Sequence, residues 1–310
     1  MSERMRKIVA KDRVAVITGA AKGIGAALAR EFATRGMRLA LLDQDGDALE
    51  ALAPTLPVDV LTVVGDVTDD TVLLRLRDET LTRFGDVGLL VNNVGVLSKA
   101  GPWASPDEWD RTLNVNFRAV LSAQHLFVPH MTAAKRPSAV VNLGSKEGIT
   151  TPPGHAAYSV AKAAVKVLTE QLAHELLVST GGTVSAHLLV PGYTWTPMNF
   201  HGKDGPHDRK PEAAWTAEQV VDYFLQRIFN EDFYILCPDN EVTSEMDTRR
   251  IQWSVDDMIH NRPALSRWNP AWAQKFTQWM RADGTNRSKA SAYPEPVEPS
   301  ALPDRHLRRR

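Results

Sequence analysis

Short runs of β-branched residues and leucine alternate with longer stretches of helical periodicity from residue 13 to about 237. The runs Val14–Ile17, Leu39–Leu42, Val60–Val64, Gly88–Val91, Ala139–Leu143, Thr183–Val190 and Phe233–Leu236 are apolar at successive rather than alternate positions. A strand that is apolar on both faces must be covered on both, the condition of a parallel sheet between two helix layers. Between the runs, Ile24–Thr34, Val72–Phe84, Asp107–Pro129 and Ala156–Val178 carry apolar residues at helical spacing and supply those layers. With right-handed crossovers, the pattern predicts an α/β fold. It is a doubly wound, Rossmann-type sheet of about seven parallel strands with helices on both faces.

Two regions fall outside that rhythm. Residues 198–215 mix His, Gly, Pro and both signs of charge without periodicity, and read as a mobile loop before Thr216, which caps a helix with Gln219 completing a capping box. Beyond the last strand, Ile251, Val255, Met258 and Ile259 share a helical face. Farther on, Asn269 can cap and Pro270 can open a helix whose stripe of Trp272, Phe276, Trp279 and Met280 ends at Gly284. Trp253, Trp268, Trp272 and Trp279 are costly to leave in water, so these helices must dock. The second is expected against the 198–215 loop, where it would limit the opening of a neighbouring site. Residues 286–310 hold four prolines and little apolar content and read as disordered. The expected organisation is one domain over residues 1–240, a helical C-terminal extension over 241–285, and a tail over 286–310.

Composition narrows the function without naming it. A net charge of −1 offers no attraction to nucleic acid or an anionic membrane, and Arg308 to Arg310 read as a solvated terminus. The single cysteine, Cys237, sits in the apolar run from Phe233 and reads as a packed strand residue. With no disulfide to form, a reducing, cytoplasmic location is expected. Met1 to Arg13 has no apolar segment of a secretory signal, and no stretch approaches the roughly 18 apolar residues of a spanning helix, so a soluble protein is expected.

Candidate chemistry lies at strand ends. Thr18-Gly19-Ala20-Ala21-Lys22-Gly23-Ile24-Gly25 follows the first strand and opens the first long helix. Glycines there let the backbone turn and approach a pyrophosphate, whose charge the helix amides hold. A bland turn is the alternative for any glycine loop taken alone. Asp43 ends the second strand, where a carboxylate binds ribose hydroxyls and repels a 2′-phosphate, favouring NAD. Lys22 pulls toward NADP, though contact repulsion by Asp43 outweighs an exposed lysine. Asp66 and Val67, after the third strand, can meet an adenine edge, and Asn92-Asn93-Val94-Gly95 ends the fourth with a small residue beside the cofactor's middle.

Tyr158 and Lys162 are four residues apart in a helical segment and share a face. A phenol's ordinary pKa near 10 is too high for easy proton exchange at neutral pH, and a nearby ammonium lowers it. Ser145, thirteen residues before Tyr158 at the end of the fifth strand, can hydrogen-bond a substrate oxygen.

Taken together, the glycine motif, Asn92-Asn93-Val94-Gly95, Ser145, Tyr158 with Lys162, and Pro191-Gly192 followed by Thr196 resemble the classical short-chain dehydrogenase/reductase (SDR) family in order and spacing, over residues 10 to about 240. Val94 stands where alanine is usual and Gly144 where a second serine is common. The resemblance implies an NAD(P)-dependent alcohol dehydrogenase or carbonyl reductase with Tyr158 as general acid/base and Ser145 holding the substrate oxygen. It implies that Lys162 also binds the nicotinamide ribose and that Asn116, in Asn114-Val115-Asn116-Phe117, supports a water chain to that lysine. Pro191, Gly192, Thr194 and Thr196 would contact the cofactor, Thr196 at its carboxamide end. A homodimer or homotetramer built on the helices around Asn116 and Tyr158 is implied too.

Two other readings stay open: an imine reductase on the same scaffold, and a catalytically silent nucleotide-binding protein. No metal is required. His201 and His207 read as surface residues, while His155, Trp103, Trp195, Met198 and Phe200 suggest an apolar or aromatic substrate.

Overall fold

The computed structural model describes residues 2–200 and 208–281. In chain order its elements are α1 (Glu3–Ile8), β1 (Val14–Thr18), α2 (Gly23–Thr34), β2 (Arg38–Asp43), α3 (Gly46–Leu52), β3 (Val60–Val64), α4 (Asp70–Phe84), β4 (Leu89–Asn92), α5 (Pro106–Leu113), α6 (Ala119–Ala133), β5 (Ser138–Leu143), α7 (Glu147–Thr150), α8 (Ala156–Thr180), β6 (Val184–Val190), α9 (Ala217–Ile228), β7 (Tyr234–Leu236), α10 (Ser244–Ile259) and α11 (Ala273–Arg281).

Each strand of β1 to β7 pairs in parallel with its neighbours, in the order β3-β2-β1-β4-β5-β6-β7. Side chains of a strand point alternately to opposite faces. In β1, Ala15 and Ile17 join the core beneath α2 and α9 with Leu28, Phe32, Phe224 and Ile228, while Val14 and Val16 join that beneath α4, α6 and α8 with Leu73, Leu76, Phe127 and Leu176. Burial on both faces is why the runs carry no polar alternation. The strand order reverses between β1 and β4, which opens a crevice at their carboxyl ends, the place where doubly wound sheets take ligands.

The predicted strands agree with the observed ones to within a residue. Helices are less regular. The segment read as one helix from Asp107 to Pro129 is two, α5 and α6, joined by a π-helical turn over Asn114–Arg118. Three short helices carry too few turns to show a period: α1, whose Met5 and Ile8 are fully buried, α3 and α7. The capping box at α9 is present, with Thr216 and Gln219 each satisfying the other's backbone amide.

The extension departs from its apolar pattern. Met258 and Ile259 are 77% and 64% exposed, while the buried side of α10 is Asp247, Arg249 and Trp253. The Trp253 ring meets Trp272, Phe276 and Trp279 at centroid separations of 6.3, 5.4 and 5.9 Å, with Arg262 stacked 4.2 Å from its centroid. Its indole N–H donates to Ser266 Oγ at 2.7 Å. The second helix, α11, begins at Ala273 rather than Pro270 and turns its aromatic stripe onto Trp253 of α10, while residues 201–207 of the loop expected to receive it lie outside the described residues. Among the described residues no helix is long and apolar enough to cross a membrane. The mobility expected of 201–207, His201, His207, Gly284 and the 286–310 tail all lie outside the described residues.

Candidate active site

A cavity of about 910 Å³ runs along the carboxyl ends of the strands. It collects residues from nearly every loop the sequence singled out: Gly19, Lys22, Gly23 and Ile24; Asp43; Asp66 and Val67; Asn93 and Gly95; Ser145; Tyr158 and Lys162; Pro191, Gly192, Thr194 and Thr196.

At one end the glycine loop turns between β1 and α2 with Gly19 at φ +65°, a left-handed conformation costly for other residues. Gly25 is dictated by contact, because a Cβ there would sit 2.0 Å from the Gly19 carbonyl oxygen. Asn93 ties β4 to this loop. Its Nδ2 donates to the carbonyls of Thr18 (3.1 Å) and Gly19 (2.8 Å), and its amide to Thr18 Oγ1 (3.1 Å). Thr18 and Gly25, two of the expected cofactor contacts, therefore shape the loop from behind and do not line the cavity.

Asp43 is fixed at the end of β2 by amides from both sides, Ala21 N–H to Oδ2 (2.9 Å) and Asp45 N–H to Oδ1 (3.0 Å). Lys22 forms an ion pair with Asp45 at 2.8 Å, so the cation that argued for a 2′-phosphate already faces a carboxylate. Asp66 closes its own turn, accepting from Thr68 N–H at 2.8 Å.

At the other end, β5 delivers Ser145 and α8 delivers Tyr158 and Lys162, both side chains nearly completely buried. Lys162 Nζ donates to the Leu143 carbonyl at 2.8 Å and lies 5.8 Å from the Tyr158 ring centroid. Burial lowers the Lys162 pKa to about 8. Burial also raises the Tyr158 phenol to about 12, opposed by Ser145 and assisted by the Glu147 charge. Tyr158 is thus a protonated acid at neutral pH, where a lowered phenol was expected. The reason is that desolvation of the phenolate outweighs the hydrogen bond from Ser145 that favours it.

Asn116 is fully buried in the π-helical turn and does not line the cavity. Its Oδ1 accepts from Val96 N–H at 3.1 Å, and its Nδ2 donates to the carbonyls of Val96 and Thr112, each at 3.0 Å. A Cβ at Gly95 would meet Asn116 Oδ1 at 3.1 Å and Lys162 Nζ at 3.6 Å, which puts both groups against the same backbone. A π-type turn inside a helix commonly marks such a position.

Substrate-side expectations fared unevenly. His155 and Met198 line the cavity, and His155 Nδ1 lies 3.1 Å from Glu147. Trp103 is 91% exposed and takes no part. Trp195 and Phe200 stack on each other, centroids 4.3 Å apart, outside the lining. Missing from the sequence reading were Arg111, Lys146, Glu147, Asp239, Val242 and Arg250. Lys146 and Glu147 could have been found, since they directly follow Ser145. Arg250 could not, because it lies on α10, far along the chain.

A doubly wound parallel sheet with a glycine loop at its switch point and a buried Tyr–Lys pair beside a serine defines a nucleotide-dependent oxidoreductase. The short chain dehydrogenase family model matches residues 13–205. Over 255 residues the chain is 33% identical to a 1-deoxy-11-beta-hydroxypentalenate dehydrogenase of Streptomyces exfoliatus, covering 80% of this chain and 89% of that protein. It is 32% identical to a 2-(R)-hydroxypropyl-CoM dehydrogenase of Xanthobacter autotrophicus, covering 68% and 89%. Among solved structures, a short chain dehydrogenase/reductase from Burkholderia phymatum in complex with NAD superposes with a TM-score of 0.72 at 30% identity, covering 81% of this chain and 96% of that one. The chain belongs to the short-chain dehydrogenase family and is an oxidoreductase of that type.

Proposed function

We propose that the protein transfers a hydride between NAD(H) and a secondary alcohol or ketone, with Ser145, Tyr158 and Lys162 as its catalytic residues. One observation carries the reading: these three side chains and Asp43 line opposite ends of a single cavity. A nicotinamide dinucleotide fits the residues present, since the glycine loop that opens α2, the Asp43 carboxylate and the Ser145, Tyr158 and Lys162 group line one continuous cavity at the strand ends. When bound, that cofactor supplies the hydride acceptor or donor.

The chain's own groups do the rest. Asp43 holds ribose hydroxyls on the lone pairs its two amide contacts leave free, and its charge disfavours a 2′-phosphate. Ser145 orients the substrate oxygen. In the reducing direction, Tyr158 donates its phenolic proton to that oxygen, and the high pKa keeps the proton in place until it is needed. In the oxidising direction the step reverses: the substrate hydroxyl gives its proton to the Tyr158 phenolate oxygen as its hydride leaves, and the Lys162 ammonium stabilises that phenolate beforehand. Asn116 supports a water chain to Lys162, a role that fits its place beside Gly95, against which Lys162 Nζ also lies. A homodimer or homotetramer is part of the same reading, as is a cytoplasmic location.

Tyr158→Phe keeps the ring and deletes the proton. Turnover of a ketone panel with NADH should fall by about 100-fold or more while NADH affinity stays within a few-fold. A Tyr158→Phe enzyme with near-normal rates would remove Tyr158 from the reaction.

A further inference from the structure

The substrate end of the cavity is walled partly by α10, an element of the extension, through Arg250. Successive helical residues point about 100° apart, and here the two adjacent arginines part company. Arg249 turns inward, where its Nη1 donates to the carbonyls of Trp279 (2.8 Å) and Met280 (3.1 Å) at the end of α11. Arg250 faces the cavity. Its Nε is buried and has no hydrogen-bond partner, and no ion pair joins its guanidinium to any described residue.

The neighbouring charges explain why. Asp247 is the carboxylate nearest in the chain, and it feels Arg250, but Lys146 lies 2.6 Å from it and 3.8 Å from Asp239. Lys146 is therefore engaged by two acids. Arg267, a half-buried cation stacked on Trp268 and Phe276, adds a like charge on the side of Arg250. A partly buried guanidinium with an unmatched N–H and a cation for a neighbour is a receptor for an anion. Planar forked donors suit a carboxylate in particular. A dianion fits less well, because Glu147 and Asp239 line the same cavity.

We infer that Arg250 is a specificity residue that binds a carboxylate on the substrate, so that the substrate class is an oxo acid or hydroxy acid whose reacting carbon sits at Ser145 and Tyr158. The inference rests on the oxidoreductase reading for the reacting end, but the anion site stands on Arg250 alone.

Two measurements separate the two ideas. In the first, methyl ketones bearing a terminal carboxylate, in a ladder of chain lengths from acetoacetate upward, are assayed with NADH beside their methyl esters. At the chain length that spans the cavity, the acid should exceed its ester in kcat/KM by about tenfold or more. Arg250→Gln should erase that preference through KM, leaving ester turnover and NADH affinity within about twofold, and Arg250→Lys should restore part of it. In the second, plain carboxylates from acetate to octanoate and the matching alcohols are titrated by tryptophan fluorescence. Wild type should bind the acids in preference to the alcohols, and Arg250→Gln, checked for an unchanged melting curve, should not.

Acids and esters reduced equally along the whole ladder, or an Arg250→Gln effect shared by acid, ester and NADH, would overturn the inference and leave the oxidoreductase reading standing. Carboxylate binding lost in Arg250→Gln with no ketone reduced would do the opposite.

Discussion

The sheet domain and the helical extension are built on different physics. The sheet is held by apolar runs buried on both faces, with residues such as Ile17, Leu41, Leu90 and Val141 completely shielded. The extension has little such surface to bury. Its centre is one tryptophan, Trp253, ringed by three aromatic side chains and an arginine, and its seam with the sheet domain is charged, Lys146 against Asp247. Hydrophobic burial is non-directional and tolerant, whereas a single ring cluster and an ion pair are specific and easily lost. The proposed chemistry sits in the robust region and the proposed substrate selection in the fragile one.

The sharpest test of the robust side is Lys162→Met. Lys162 is almost wholly buried, with its pKa lowered to about 8 from an ordinary value of 10.5. Turnover should fall by about 100-fold or more, since the phenolate of Tyr158 loses its neighbouring cation. Stability should move the other way. Below pH 8 the folded wild type carries a desolvated charge that the methionine variant lacks, so the variant should melt higher at pH 7. Between about pH 8 and 10 the folded wild type binds fewer protons than its unfolded chain, which makes its stability rise with pH and narrows the gap. Melting curves at pH 7 and 9.5 measure this. A variant that melts lower at both values would show that the Leu143 contact outweighs the burial of charge.

On the fragile side, Trp253→Ala removes the centre of the ring cluster, a loss of about 3–5 kcal/mol for such a truncation. The expected result is loosening confined to the extension. Limited proteolysis should cut after residue 240, KM for the best ketone should rise by about tenfold, and NADH affinity should hold. Loss of NADH binding together with KM would mean that the two regions fold as one cooperative unit, and the contrast drawn above would fail.

The same contrast governs what could be read from the chain. Strand runs were legible because a parallel sheet imposes continuous apolarity, and the glycine loop, Ser145 and the Tyr158–Lys162 pair were legible because local spacing fixes their geometry. The extension was misread for a physical reason. Its apolar residues Met258 and Ile259 face solvent, while its buried side contains Asp247 and Arg249, whose closest partners, Lys146 and the carbonyls of Trp279 and Met280, lie on other elements. Helical periodicity sees only like with like. Arg250 was invisible because its significance lies in which cavity it reaches. The lowered Tyr158 pKa was misjudged because the sequence shows the lysine but not the burial of both groups.

Cofactor choice is a smaller effect within the sheet domain. Asp43→Ala removes the charge that opposes a 2′-phosphate but also the acceptor for Ala21 and Asp45 amides, and Lys22 keeps its partner Asp45. The ratio of kcat/KM for NADH over NADPH should therefore fall by about tenfold, through weaker NADH use as much as better NADPH use. Wild-type enzyme that prefers NADPH would sink the assignment of Asp43 as the selector.

The smallest effect concerns the seam itself. Asp247 is largely buried, and burial raises its pKa despite Lys146 at 2.6 Å, so desolvation exceeds the attraction. A carboxyl whose folded pKa is raised binds more protons in the folded state than in the unfolded one as pH climbs above 3.8. Over that window wild-type stability falls with pH, and the deficit is complete once Asp247 has ionised. Asp247→Asn keeps the shape and removes the charge, while Lys146 retains Asp239. Its melting temperature at pH 7 should match or slightly exceed that of wild type, a difference of about 1 kcal/mol or less. The variant should also lack the Asp247 share of the decline between pH 4 and 7. Thermal melts across that range decide the matter. A variant that melts well below wild type at pH 7 would show that the ion pair is what fastens the extension to the sheet domain, and the seam would then be a source of strength.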